Sequence, residues 1–274
     1  MREIQKIFRG RETIDGGGVK LRRLLTPQAY READPFLLVD EFHNDDPSTY
    51  IAGFPPHPHR GFETITYLLA GRIHHRDSRG HEGHLGPLSL QWMTAGSGIV
   101  HSEMPEQEDG LLWGYQIWLN LSTAQKMTKP RYQDIPAEDI PEVEEGPLRI
   151  RVLAGEYKEK KSPVMTFFPV LYLDLSFSEE SFFYLSLPVG DTVLVICIEG
   201  NVEIGERRQQ LVMGELALLG EGEGIGLYSK KGRLLLLSAP PLREPMVAHG
   251  PFVMNSREEI EQAYRDYAAG LFEV

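Results

Sequence analysis

Two short stretches hold the residues best suited to chemistry. In FPPHPHRGFETITYLLAG, residues 54–71, His57 and His59 stand one residue apart, and in IVHSEMP, residues 99–105, His101 and Glu103 do the same. On a strand, residues i and i+2 project from one face, so each pair points in a single direction. Two such pairs on neighbouring strands of a small barrel can meet at one interior point. Three imidazoles and a carboxylate suit a divalent first-row ion such as Fe, Ni, Cu, Mn or Zn. An ion that takes five or six ligands would keep positions open for water or substrate.

The surrounding chain reads as the strands such a site needs. There are 27 glycines and 19 prolines, and between them fall many short apolar runs such as ETITYLLAG, LSLQWMTAG, LWGYQIWLNL, LRIRVLAG and TVLVICIEG. That pattern predicts an all-β fold of small sandwiches or barrels. In VLYLDLSF, Leu171, Leu173, Leu175 and Phe177 alternate with Tyr172, Asp174 and Ser176, which predicts one buried and one wet face. The glycines of AGSG, 95–98, allow a tight turn into the strand that carries His101.

Three segments follow from composition. Residues 1–123 form an N-terminal metal-binding barrel. Residues 124–147, polar, acidic and punctuated by proline, suit a connector. Residues 148–274 form a second barrel that ends in a helix. The helix signal is Ser256-x-x-Glu259, a capping box, followed by Ile260, Ala263, Tyr264, Tyr267 and Ala268 on one face. The halves also resemble each other. LQWMTAGSGIVH (90–101) aligns without gaps to LALLGEGEGIGL (216–227), which sets His101 on Leu227. An upstream match shifted by three residues sets His57 and His59 on Ser186 and Pro188. The second barrel is therefore expected to lack a metal site.

Composition bounds the partners. With 28 Lys and Arg against 40 Asp and Glu, the net charge is −12, which disfavours direct contact with nucleic acid. The single Cys197 excludes an intrachain disulfide and sits in the apolar run VLVICI. No run approaches the roughly 20 apolar residues of a membrane span, and the first residues lack the apolar core of a signal peptide. The expectation is a soluble, intracellular protein.

HPHRGFETITYLLAG followed by QWMTAGSGIVHSEMP resembles the pirin family of the cupin superfamily. The resemblance extends through DPFLLVDEF (34–42), KMTKPRYQ (126–133), VLYLD and LREP…HGPFVMN (242–255), nearly the whole chain. It implies a two-domain cupin, two β-barrels in tandem, with one metal in the N-terminal barrel. That metal is expected to be Fe(II), with Ni, Cu, Mn, Co or Zn as alternatives. The ligands the resemblance implies are His57, His59, His101 and Glu103. It further implies quercetin 2,3-dioxygenase activity, in which a flavonol is opened by O2 and Glu103 acts as general base. The alternative is a non-catalytic, redox-sensing co-regulator that binds transcription factors or metabolic enzymes through its iron state. A cytoplasmic location is implied, or a nuclear one in a eukaryote.

Other features point less sharply. Glu63 occupies the carboxylate place of the general cupin pattern H-x-H-x3-E and is read as a neighbour of the site. Pro87-Leu88-Ser89 replaces the Pro-Gly-Asp usual in pirins. His74-His75 and the His81-Glu82-Gly83-His84 loop could bind metal, but they read rather as solvated loop or strand-surface histidines, with the His81/His84 loop placed to line the pocket mouth. Asp40, Glu41, Asp45 and Asp46 read as a solvated acidic turn. GEGEGIG (220–226) fails the spacing of a phosphate loop.

Overall fold

The computed structural model describes residues 1–107 and 109–272, and nearly all of its regular structure is antiparallel strand. The all-β prediction with one substantial C-terminal helix holds. The chain forms two compact units. One comprises Arg11–Gln28, Phe36–Ala137 and the chain from Leu242 onward; the other comprises Met1–Gly10, Ala29–Pro35 and Glu138–Pro241.

These units differ at both chain ends from the segments 1–123, 124–147 and 148–274. The first strand, Ile4–Phe8, pairs with Leu216–Leu219 and so belongs with the second barrel. Arg2 anchors it there, buried and donating to the carbonyls of Gly220 and Pro188 at 2.9 and 2.6 Å. Conversely, the helix Arg257–Ala268 belongs to the unit that carries the histidines. The expected connector also supplies strands. Arg131–Ile135 pairs with Leu90–Thr94, and Glu142–Glu145 pairs with Leu148–Ala154. Each is an edge strand of its sheet, the position in which nearby prolines remove no ladder bond.

In the histidine-bearing unit two sheets carry the site. Four strands run in the order Phe54–His59, Ile99–Pro105, Ile73–Asp77, Glu82–Leu85. Seven more form the other sheet, with Phe62–Ala70 and Leu112–Asn120 as central neighbours. Phe62, Thr64, Thr66 and Leu68 alternate toward the four-stranded sheet, while Glu63, Ile65 and Tyr67 face away. Leu68 joins Leu21, Phe42, Tyr50, Ile73 and Leu85 in an apolar core. The AGSG turn behaves as its glycines predict: Gly96 and Gly98 have φ of +49° and +130°. At Pro87-Leu88-Ser89 the turn adopts a left-handed backbone conformation that suits glycine. Leu88 has φ of +62°, strained for a residue with a Cβ by about 1–2 kcal/mol.

The helix is capped as its sequence predicts. Ser256 Oγ accepts from the Glu259 amide at 3.2 Å, and Glu259 Oε2 accepts from the Ser256 amide at 3.2 Å. Its apolar face is narrower than expected: Ile260 and Ala263 are buried with Phe252, Met254 and Phe272, whereas Tyr264, Tyr267 and Ala268 are exposed. The helix is fastened beside the histidines. Arg60, 5% exposed, donates to Asp266 at 2.7 Å, and its guanidinium lies 4.5 Å from the Phe272 ring.

The other unit encloses one large apolar core. Its sheet register corrects the correspondence between the halves. Leu227 pairs with Phe183 and Ile225 with Leu185, as His101 pairs with His57 and Ile99 with His59. Phe183 and Leu185, rather than Ser186 and Pro188, therefore stand where the histidine pair stands. Together with Leu227 they are packed into that core. Both faces of Leu171–Phe177 are covered, contrary to the expected wet face: Tyr172 is buried, and Asp174 is buried against Arg233 at 2.6 and 2.9 Å.

Lys126, 1% exposed, ties three segments of the histidine-bearing unit together. Its ammonium donates to the carbonyls of Gly61 and Val253 and to Asn120 Oδ1, at 2.8, 2.9 and 2.7 Å. Lys126→Met keeps the stem but leaves three buried acceptors without their donor. It should destabilise the protein by about 1–3 kcal/mol, read as a lower urea midpoint at unchanged m value. An unchanged midpoint would show that this junction adds nothing to stability.

Candidate metal centre

The strands Phe54–His59 and Ile99–Pro105 pair antiparallel, with His57 directly opposite His101. The three imidazoles of His57, His59 and His101 gather as their spacing predicts, each offering a nitrogen within 4.8 Å of the others. Ring centroids lie 4.4 Å apart for His57 and His101, 4.7 Å for His57 and His59, and 5.1 Å for His59 and His101. His57 Nδ1 donates to the Pro55 carbonyl at 2.8 Å, so Nε2 is the nitrogen left to ligate. His59 and His101 are held well below the usual imidazole pKa, by burial first and then by the charge of His57. Both rings are thus neutral, the form that binds metal.

Neither ring nitrogen of the buried His101 has a hydrogen-bond partner. An imidazole buried in that state costs about 1–3 kcal/mol, and a cation shared with His57 and His59 would remove the cost. The residues fit a first-row ion.

Glu103 is placed differently from its three expected co-ligands. It is 4% exposed on the same strand as His101, but its oxygens lie outside the 4.8 Å group. They are held by the seven-stranded sheet. Gln116 Nε2 donates to both oxygens at 3.1 and 2.9 Å, and Thr66 Oγ1 to one at 3.3 Å. Gln116 is itself oriented by Trp118, whose Nε1 donates to Gln116 Oε1 at 3.4 Å. No local pattern points to Gln116 or Thr66, since only the pairing of distant strands brings them over Glu103. Glu63 faces away from the histidines, buried, accepting from Thr94 at 2.6 Å; burial pushes its carboxyl up to about 7.

A cavity of about 600 Å³ opens onto His57 and His59. Phe54, Pro55, Pro56, Leu38, Trp118 and Pro251 give it apolar walls, and Gln116, Arg23 and Asp40 give it polar points. His81 and His84, expected at the pocket mouth, are not among its lining residues. His75 is fully buried rather than on the strand surface. Asp40 and Glu41 are also buried rather than solvated. They pair with Arg23 and Arg22 across the neighbouring strand, and Tyr115 donates to Glu41 at 2.6 Å. Among the described residues, every group of three or more clustered His, Cys, Asp or Glu ligands lies in the histidine-bearing unit.

Comparison with known proteins agrees with this architecture. The family model described as Pirin matches residues 18–119, and that described as the Pirin C-terminal cupin domain matches residues 172–273. A Pseudomonas aeruginosa protein, provisionally named a quercetin 2,3-dioxygenase, is 42% identical over 281 residues, covering 100% of this chain and 99% of its own. Human pirin is 41% identical over 94% of this chain and 89% of its own length. The crystal structure of a quercetin 2,3-dioxygenase from Acinetobacter baumannii superposes with a TM-score of 0.93 at 34% identity, covering 99% of this chain and 98% of that one. The chain is a two-domain member of the pirin family.

Proposed function

We propose that this chain is a metal-dependent dioxygenase of the pirin type that opens flavonols such as quercetin with O2. The observation that carries the reading is the apolar-walled cavity of about 600 Å³ that ends on His57 and His59. Likeness over the full length to the Acinetobacter baumannii quercetin 2,3-dioxygenase supports the substrate class. His57, His59 and His101 would hold the ion, most readily Fe(II), with Glu103 as fourth ligand and general base. When bound, the ion supplies Lewis acidity and redox chemistry toward the flavonol 3-hydroxyl and O2.

The chain's own residues do the rest. The flat walls of Trp118, Phe54 and the prolines suit a planar aromatic substrate and exclude water from its ring. Glu103 is the buried base for the 3-hydroxyl proton. Gln116 both lines the cavity and grips that carboxylate, so it fixes where the base sits until substrate arrives.

Three outcomes test the reading. His101→Ala should abolish tight binding of one metal equivalent, because the remaining pair lacks a third imidazole; metal analysis of tag-free protein checks it. Glu103→Gln keeps the volume and removes the base, so turnover per bound metal should fall by about 10²–10⁴ and recover in part as rising pH ionises the flavonol in solution. Iron-loaded wild-type protein should consume quercetin and release CO in the presence of O2. A fully loaded protein without turnover would favour the redox-sensing, partner-binding reading instead.

A further inference from the structure

The unit holds a second group of ligating side chains that the dioxygenase reading does not use. His75, His81 and Asp134 each offer an atom within 4.8 Å of the others. We propose that they form a second metal site, suited to Zn²⁺.

His75 is the odd residue of the set. Its side chain is fully buried, and neither ring nitrogen has a hydrogen-bond partner. A valine there would avoid the cost of stripping water from an imidazole. Nε2 points at Asp134 Oδ2, 3.7 Å away, too far for a hydrogen bond. His81 Nε2 lies 3.0 Å from the same oxygen. In a tetrahedral zinc site with bonds of about 2.1 Å, ligand atoms lie about 3.4 Å apart. The two observed separations bracket that value.

The surroundings are arranged as a ligand set is. Gln91 Nε2 donates to Asp134 Oδ1 at 2.9 Å, which leaves Oδ2 turned to the histidines. The Tyr132 ring packs on both imidazoles, with centroids 4.8 Å from His75 and 4.5 Å from His81. Gly83 keeps the centre open: a Cβ there would come within 2.6 Å of His75 Nε2 and 2.8 Å of Asp134 Oδ2. His81 and Asp134 are 40% and 30% exposed, so an ion can enter from solvent and keep a water as fourth ligand. Two neutral imidazoles, one carboxylate and a water are a set that zinc accepts.

The test uses the full-length, tag-free chain stripped by chelator and titrated with Zn²⁺, with bound metal counted after desalting. Two equivalents are expected for the wild type. A variant carrying His57→Ala and His101→Ala should keep one, and His81→Ala, changing a half-exposed side chain, should also keep one. All three changes together should leave none. Gly83→Ala should lose the second equivalent with every ligand still present, and Gln91→Ala should weaken it about 10–100-fold. With Co²⁺ as probe, the His57→Ala, His101→Ala variant should show the intense visible absorption of a four-coordinate ion. Two results would overturn the site: retention of both equivalents in the folded His81→Ala protein, or no tightly bound metal in the folded His57→Ala, His101→Ala protein.

Discussion

The histidine-bearing unit is organised around the cost of burying imidazoles. His59 and His101 are each less than 5% exposed, and burial holds both neutral at ordinary pH. Neutral rings cannot repel one another as cations, so they tolerate centroid separations near 5 Å. His101 still carries two ring nitrogens that the interior leaves without a hydrogen-bond partner. A cation would answer that need, and the low dielectric of the buried site would make its charge effective on whatever enters the neighbouring cavity. Stability and chemistry are thus tied to one electrostatic requirement.

The rest of the unit holds those rings in register. The ladder between Phe54–His59 and Ile99–Pro105 sets His57 against His101, and the AGSG turn feeds the second strand in at the right height. From outside, the C-terminal segment closes on the next residue along. Arg60 is gripped by Asp266 and Phe272, and His59 faces the Pro251 carbonyl at 3.4 Å. This explains why the helix belongs with the histidines although more than 150 residues separate them in sequence. In the companion unit Phe183, Leu185 and Leu227 fill the equivalent register positions and pack as a plain apolar core. One strand pattern thus serves two ends, decided by whether three positions are polar or apolar.

Much of this was legible in the chain. The i, i+2 histidine pairs, the strand-rich pattern and the capping box depend on local spacing, and each appears where the residues put it. What was not legible depends on pairing between distant strands. His75 looks like one of two surface histidines until the ladder sets it opposite Glu103, on the inward face of its strand. Asp40 and Glu41 look like a solvated acidic turn until Arg23 and Arg22 arrive from the adjacent strand. In the internal repeat His101 does fall on Leu227, but setting His57 and His59 on Ser186 and Pro188 is three residues out of step with the ladder, which places Phe183 and Leu185 there. The exchange of terminal segments rests on Arg2 and Arg60, whose partners lie about 200 residues away in the chain. No window of sequence contains both ends of such a contact.

The central claim is that the three-imidazole cluster is a metal centre. Anomalous diffraction at the iron edge, from crystals of iron-loaded protein, tests it most directly. The account predicts a single strong iron peak bonded to nitrogens of His57, His59 and His101, with the Glu103 carboxylate drawn toward it from Gln116. An iron-free cluster in crystals of folded, iron-treated protein, its three rings bridged by water or protein hydrogen bonds alone, would contradict it.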